Sequence, residues 1–151
     1  MPQLAKGGKH VFGWSRIRKD GTLRLPPEAV REYGLRKSEK LVLMSGSKTS
    51  GGIGVSSERL LRGSLLEVVL HRLAAAGRSS APVRVSPQRR AVRARFDARG
   101  RFRLSPEALA CYGIAPGDRL LVIRSSDIAI GMAHHGPLVK HALRFSDLKT
   151  F

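Results

Sequence analysis

The stretch Arg-Ala-Arg-Phe-Asp-Ala-Arg-Gly-Arg-Phe-Arg-Leu, residues 93–104, decides the fold that we predict for this chain. Arginines alternate with apolar residues on both sides of the central residues 98–100, which is typical of strands with one buried face. Because the break contains a glycine, the pattern predicts a β-hairpin. Phe96, Phe102 and Leu104 would face a core, and the arginines would cover the opposite face.

The whole pattern occurs twice in the chain. Residues 21–43 align with residues 100–122 without gaps at a constant offset of 79, and nine of the 23 positions are identical. Each copy contains a Pro-Glu-Ala helix start and a Tyr-Gly helix end, and glycine is the usual residue at such an end. We therefore expect two equivalent units about a pseudo-two-fold axis, with Leu23 and Phe102 in corresponding environments.

The charge balance predicts a polyanionic partner. Lysine and arginine number 28 against 11 aspartates and glutamates, which gives a net charge of +17 and a pI near 11.6. Nucleic acid is the first candidate. An anionic membrane surface is a distant second, because no run approaches the roughly 18 apolar residues of a spanning helix. Residues 1–10 lack the apolar region of a secretory signal, and Cys111 alone cannot form an internal disulfide. These features predict a cytoplasmic, nucleoid-associated protein.

Periodicity and turn residues divide the chain into six segments. The predicted fold class is mainly β (α+β), with two βαβ-type repeats that are each followed by a helix. The segments are a flexible basic arm (1–10), a first repeat (11–56), an amphipathic helix (57–77), a linker (78–90), a second repeat (91–135), and a C-terminal helix and tail (136–151).

The predicted helix Glu58–Ala76 has a wide aliphatic face of leucines and valines. Such a face exceeds what one short helix usually hides against a small domain, and large exposed apolar patches are uncommon on monomers. We therefore expect a homo-oligomer, a dimer or higher, that assembles through this helix.

The frame of the second repeat resembles the AbrB/MazE/SpoVT swapped-hairpin family. A hydrophobic residue, an aspartate, a Gly-Arg pair and alternating hydrophobics precede a proline-containing helical turn, a Gly-Ile pair and a Gly-Asp pair. The residues at these positions are Phe96, Asp97, Gly100, Arg101, Phe102, Leu104, Gly113, Ile114, Gly117 and Asp118. Two copies with a helix after each resemble the tandem MraZ-type arrangement. The resemblance implies two interlocked copies in a swapped-hairpin or double-split β-barrel, with a DNA-binding role in transcription regulation.

The repeats depart from the family frame at three positions. Arg18 stands where the family has aspartate, Thr22 stands where it has arginine, and Ser105 stands where it usually has proline. Since the first repeat lacks the Gly-Arg pair, we expect the second repeat to contribute more to binding.

Strand parity and the hairpin tips expose one set of basic residues, and the resemblance implies DNA contacts at most of the same positions. The planar guanidinium of arginine suits both phosphates and guanine edges. The candidate DNA-binding residues are Arg16, Arg18, Lys19, Arg24, Arg31, Arg93, Arg95, Arg99, Arg101 and Arg103.

No motif predicts catalysis, a metal site or a cofactor. The adjacent His134 and His135, with His141, lack the spacing of metal ligands, and Cys111 is predicted to be a small core residue. Trp14 lies on a predicted strand, where a core position is expected more often than stacking on a base. We therefore predict that the protein is not an enzyme.

The residues leave three functions open. The first is a sequence-selective regulator that binds double-stranded DNA. The second is an antitoxin that autoregulates and neutralises a toxin protein, although residues 140–151 are short and partly apolar rather than acidic. The third is a non-specific RNA-binding or structural component of a ribonucleoprotein. Competition with random DNA and with RNA separates the first function from the third.

Overall fold

The computed structural model describes residues 10–151, and the predicted basic arm lies outside them except for His10. The described chain is of the mainly β, α+β class that the sequence predicts. Its strands are β1 (Val11–Arg16), β2 (Thr22–Arg24), β3 (Lys40–Ser45), β4 (Ile53–Ser57), β5 (Val83–Ser86), β6 (Arg89–Arg95), β7 (Arg101–Arg103), β8 (Arg119–Arg124) and β9 (Ile130–Ala133). Its helices are α1 (Pro27–Tyr33), α2 (Glu58–Leu61), α3 (Glu67–Ala76), α4 (Pro106–Tyr112) and α5 (Pro137–Ala142). None of the helices in this described part has the length and apolar character to cross a membrane.

The stretch at residues 93–104 does not form a hairpin. β6 and β7 flank the predicted turn, but β6 pairs with β3 and β5 in a seven-stranded sheet, whereas β7 pairs with β2 in a two-stranded sheet. Because both edges of β6 are occupied, β7 pairs instead across the molecule, where Phe102 lies opposite Leu23. The predicted hairpin is therefore wrong, while the predicted burial of Phe96, Phe102 and Leu104 is confirmed.

The two repeats are related by a pseudo-two-fold axis through the pairing of β2 with β7. Leu23 and Phe102, which are 79 residues apart, lie opposite each other and are buried in the same core cluster. The pairing of β1 with β8 has an equivalent in the pairing of β6 with β3, because β1 corresponds to β6 and β8 corresponds to β3 at an offset of 79 residues. The expectation that Leu23 and Phe102 occupy corresponding environments is confirmed.

The same axis crosses the seven-stranded sheet at a pair of glycines. The strand order is β1-β8-β9-β4-β3-β6-β5, so β9 and β4 lie side by side near the centre, and Gly54 is opposite Gly131. These glycines are equivalent at an offset of 77, because the loop 46–52 is two residues longer than the loop 125–129. The sheet is open, with β1 and β5 at its edges, and does not confirm the predicted barrel.

The main core lies between one face of the seven-stranded sheet and a layer formed by β2, β7, α1 and α4. Along β3, Leu41 and Leu43 enter this core, whereas Val42 and Met44 face the other side of the sheet, which we call the outer face. On the outer face, α2 and α3 cover β3 and its neighbours, and α5 covers β8 and β1. Trp14 is 3% exposed and packs with α5, so its predicted core position is confirmed.

The predicted helix Glu58–Ala76 is divided into α2 and α3. The break spans residues 62–66 and contains Gly63, whose φ of 76° lies in the left-handed region that favours glycine.

Most of the aliphatic face of α2 and α3 is buried within the chain itself. Leu61, Val69 and Leu73 are at most 4% exposed and pack on the outer face of the sheet. Two side chains of this segment stay open to solvent, since Leu65 is 99% exposed and Val68 is 50% exposed.

Two other segments differ from the predictions. The predicted linker 78–90 contains β5, because Val85 is buried on the outer face and its strand pairs with β6. Cys111, predicted to be a core residue, is exposed. The buried residues of α4 are Ala108, Leu109 and Tyr112, and position 111 lies on the opposite side of that helix.

Residues 149–151 cover the free edge of β1. The Trp14 N–H donates to the Lys149 carbonyl at 2.8 Å, and the Phe151 N–H donates to the Trp14 carbonyl at 2.7 Å. These bonds satisfy backbone groups that an edge strand would otherwise leave open.

Candidate nucleic-acid interface

The ladder of β2 and β7 presents arginines on its solvent side. Leu23 and Phe102 form the central pair and point into the main core, so the residues on either side of them point outward. The outward pairs are Thr22 with Arg103 and Arg24 with Arg101. Three guanidinium groups therefore share one face of this two-stranded sheet.

The turns that lead into β2 and β7 have the same backbone geometry. In the first turn, the Arg18 N–H donates to the Thr22 carbonyl at 2.9 Å, and the Gly21 N–H donates to the Arg18 carbonyl at 2.9 Å. The corresponding bonds, 79 residues later, measure 2.9 and 3.2 Å. Gly21 and Gly100 both have positive φ, at 85° and 76°.

Each turn holds one aspartate, but at a different position. Asp20 accepts the Thr22 backbone N–H at 3.0 Å through Oδ1. Asp97 accepts the backbone N–H groups of Arg99 and Arg101 at 2.8 and 2.9 Å, and its Oδ2 lies 3.1 Å from the Arg101 Nε. The second turn therefore neutralises one of its own arginines, which the first turn does not do.

Hydrogen bonding lowers the pKa of both carboxyl groups. For Asp20, the hydrogen bond with Thr22 is the main cause of the lowered pKa. For Asp97, partial burial favours a higher pKa, but the N–H groups of Arg101 and Arg99 and the Arg101 guanidinium outweigh it and lower the pKa. Both side chains are therefore charged at neutral pH.

Arg24 and Arg103 hold equivalent positions but have different partners. The Arg103 Nε donates to the Asp20 carbonyl at 2.7 Å. The Arg24 Nε is buried and has no hydrogen-bond partner among residues 10–151. Arg24 also lies directly opposite Arg101, and like charges at such positions destabilise a sheet. An anion that binds the terminal guanidinium nitrogens of Arg24 would offset the repulsion between Arg24 and Arg101.

Basic residues also occupy the strand ends next to the turns. Arg16 pairs with Arg119 across β1 and β8, and Arg95 pairs with Lys40 across β6 and β3. The offset of 79 exchanges these two pairs. Arg119 and Lys40 are absent from the predicted set, although this offset relates them in the sequence.

Four of the predicted residues lie away from the solvent side of this ladder. Arg93 is on the outer face, where its Nε is 3.1 Å from the Glu58 Oε1, because its neighbour Val92 takes the core side of β6. Arg31 is exposed on the last turn of α1, where the second repeat has Ala110. By the same alternation Arg95 also turns to the outer face, as does Arg16 on the side of β1 that carries Trp14. The prediction that all ten candidates share one surface is therefore wrong for Arg16, Arg31, Arg93 and Arg95.

We call the basic residues of the ladder, the turns and the strand ends the basic region. Its members on the ladder and the turns are Arg18, Lys19, Arg24, Arg99, Arg101 and Arg103. Its members at the strand ends, which alternation turns toward the outer face, are Arg16, Lys40, Arg95 and Arg119. Within residues 10–151, only Arg101 of this set forms an ion pair with a carboxylate. The guanidinium of Arg119 also lies 4.5 Å from the centre of the Trp14 ring. A region of this composition can contact several phosphates at once.

No family model matches the sequence, and no curated protein and no solved structure matches it either. The resemblance to the swapped-hairpin family therefore stays a prediction.

Proposed function

We propose that this protein is a double-stranded-DNA-binding transcription regulator of the AbrB/MazE/SpoVT swapped-hairpin type, and not an enzyme. The observation that carries the proposal is the two-stranded ladder with Arg24, Arg101 and Arg103 on its solvent side, centred on the pseudo-two-fold axis. A two-stranded ribbon fits the major groove of B-DNA, and arginine binds both phosphates and guanine edges there.

Symmetry supports the same partner. Duplex DNA has local two-fold axes that relate its strands, and dimeric regulators use a matching axis to contact two half-sites. Here one chain supplies both halves of such a surface, because β2 of the first repeat pairs with β7 of the second. That exchange of strands between repeats is also what a swapped hairpin implies, and it supports the MraZ-like tandem part of the proposal. A DNA partner would place the protein on the nucleoid in the cytoplasm.

The test is a DNA-binding titration at several salt concentrations. Fluorescence anisotropy with a labelled duplex gives the slope of log affinity against log salt, to which each neutralised phosphate adds about −0.9. The triple variant Arg24→Ala, Arg101→Ala, Arg103→Ala should flatten this slope by about two to three units. Competition with random duplex and with RNA then measures sequence selectivity.

The matched control removes three arginines outside the basic region. The helices α3 and α5 cover the outer face of the sheet. Three exposed arginines lie on or just after these helices: Arg72 on α3, Arg78 after α3 and Arg144 after α5. Replacing all three by alanine gives the same change in net charge and should leave the slope nearly unchanged. Equal effects of the two triple variants would mean that only net charge matters, and RNA competing as well as DNA would favour the ribonucleoprotein alternative.

We propose in addition that the protein forms a homo-oligomer through the segment of α2 and α3. Only the exposed side chains of Leu65 and Val68 support this part of the proposal, because the other aliphatic side chains of the segment pack wholly or partly within the chain. A dimer or larger species by light scattering at micromolar concentration, converted to monomer by Leu65→Ser with Val68→Ser, is expected. A monomer in the unchanged protein contradicts this part of the proposal and leaves the DNA-binding part standing.

A further inference from the structure

A groove of about 670 Å³ opens on the outer face where the pseudo-two-fold axis crosses the seven-stranded sheet. Gly54 and Gly131 line it at the centre, and Met44 and Ile123 line it on opposite sides. Its volume falls in the range of small-molecule sites, which is about 300–1,000 Å³. Both repeats contribute to the groove, since residues of the loops 46–52 and 125–129 also line it.

The groove exists because two glycines face each other on the outer side of β4 and β9. Their neighbours along the strands, Ile53 with Val55 and Ile130 with Met132, are in the main core, so alternation turns the glycines outward. α2 and α3 cover the sheet on one side of the pair, and α5 covers it on the other. A Cβ on Gly54 would meet no heavy atom within 4 Å, whereas a Cβ on Gly131 would lie 2.9 Å from the Ile123 Cγ1, so the open space lies over Gly54. Glycine inside a strand weakens it and often marks close approach of a ligand.

The lining combines an apolar floor with a cationic, hydroxyl-rich rim. Met44, Ile123 and Ala133 supply apolar atoms, and Lys48 and Arg89 supply positive charge. No aspartate or glutamate is among the lining residues, all of which belong to the described chain.

Several hydroxyl groups of the rim are also available to a ligand. The side chains of Ser50, Ser86 and Ser125 line the groove and form no hydrogen bond within residues 10–151. Ligand sites of proteins typically combine an apolar surface with a few convergent polar groups of this kind.

We propose that this groove binds a small organic anion with an apolar body. The apolar part lies on the floor above Gly54 and beside Ile123, and the anionic group lies between Lys48 and Arg89 at the rim. The proposal does not depend on DNA binding, because the groove and the ladder of β2 and β7 lie on opposite faces of the seven-stranded sheet.

The experiment uses two dyes that share an apolar body, the anion anilinonaphthalene sulfonate and the neutral phenylnaphthylamine. Fluorescence titration of the full chain should give saturable binding of the anionic dye, with the neutral dye at least about tenfold weaker, the factor expected for loss of one charge-assisted contact. Gly54→Phe should abolish binding by filling the groove, and its circular dichroism and DNA affinity should match those of the unchanged protein.

A second variant keeps the test independent of that substitution. Lys48→Ala with Arg89→Ala lies at the rim and should weaken the anionic dye by about tenfold or more. Arg72→Ala with Arg144→Ala removes the same charge outside the groove and should leave dye affinity unchanged. Retained binding in folded Gly54→Phe, equal effects of the two double variants, or equal affinity for both dyes would overturn the proposal.

Discussion

The turn at residues 18–21 and the turn at residues 97–100 have the same backbone and different charge arrangements. The same two backbone hydrogen bonds close both turns, and a glycine with positive φ ends each of them. In the second turn, Asp97 holds two backbone N–H groups and the Arg101 side chain. In the first turn, Asp20 holds one N–H group and no arginine side chain.

The number of arginines in each repeat differs from the number without a carboxylate partner among residues 10–151, and it is the unpaired arginines that can bind phosphate most readily. The second repeat has more arginines near its turn, from which the sequence predicts that it contributes more to DNA binding. Within the described chain, however, Arg101 is paired with Asp97 and Arg93 is paired with Glu58, whereas Arg16, Arg18 and Arg24 have no carboxylate partner. The contacts therefore favour a more even division between the repeats, or one that favours the first.

The largest expected difference between the two turns is in the free energy of unfolding that is lost when the glycine of each turn is replaced by alanine. A Cβ on Gly21 would lie 2.3 Å from the Leu104 carbonyl oxygen, whereas a Cβ on Gly100 would lie 3.6 Å from the Leu25 carbonyl oxygen. Gly100→Ala should therefore cost only the strain of positive φ, about 1–2 kcal/mol. Gly21→Ala adds a backbone clash and should cost about 2–5 kcal/mol.

Urea unfolding of both variants, followed by circular dichroism, measures these costs. Gly34→Ala serves as a control, because it has positive φ and no heavy atom within 4 Å of the added Cβ. If Gly21→Ala and Gly100→Ala lose equal stability, then the closer approach at Gly21 does not exist in solution and the two turns are more alike than their contacts indicate.

Sequence periodicity predicts which side chains are buried but not which strands pair. Phe96, Phe102 and Leu104 are buried as predicted, because alternation reports the face of a strand. The partner of β7 depends on the edges of β6, which are already occupied by the neighbouring β5 and by β3, a strand distant in sequence. The repeat supplied the missing information only in part: the offset of 79 predicts equivalent units, but not that their short strands pair with each other.

The candidate site was predictable to a similar degree. Parity and turn position place Arg24, Arg101 and Arg103 on a solvent face, as the ladder bears out. The ion pair of Arg93 was not predictable, because Glu58 reaches it from a helix 35 residues earlier. Lys40 and Arg119 were missed because each stands alone in the sequence, and only the offset of 79 relates them.

An intermediate effect is expected from the aspartate of the second turn. Asp97→Ala removes the acceptor of two backbone N–H groups and should cost about 1–2 kcal/mol at neutral pH. Asp20→Ala removes the acceptor of one N–H group and should cost less. Urea unfolding at pH 7 compares the two variants with the unchanged protein.

The pH dependence of this effect has a definite sign. The folded state lowers the pKa of Asp97, so its contribution is complete above the pKa of the unfolded chain and is lost as pH falls through the folded pKa. The difference between Asp97→Ala and the unchanged protein should therefore shrink below about pH 4. A difference that stays constant down to pH 2 would contradict the assigned role of the carboxylate.

The smallest effect separates local ion pairing from net charge in DNA binding. Asp97→Asn and Asp20→Asn each raise the net charge by one, and asparagine keeps an oxygen that accepts the backbone N–H groups. Only Asp97→Asn releases an arginine side chain, since Arg101 is its ion-pair partner. We expect Asp97→Asn to steepen the slope of log affinity against log salt by about one unit. Between about 50 and 200 mM salt, the affinity of this variant should therefore fall roughly three- to fourfold more than that of the unchanged protein. Asp20→Asn should change the slope by less than half as much, because no arginine side chain is freed to reach a phosphate. Equal slopes for the two variants would show that Arg101 contacts no phosphate even when it is free, and the division of binding between the repeats would then have to be assigned to Arg24 and the residues of the first turn.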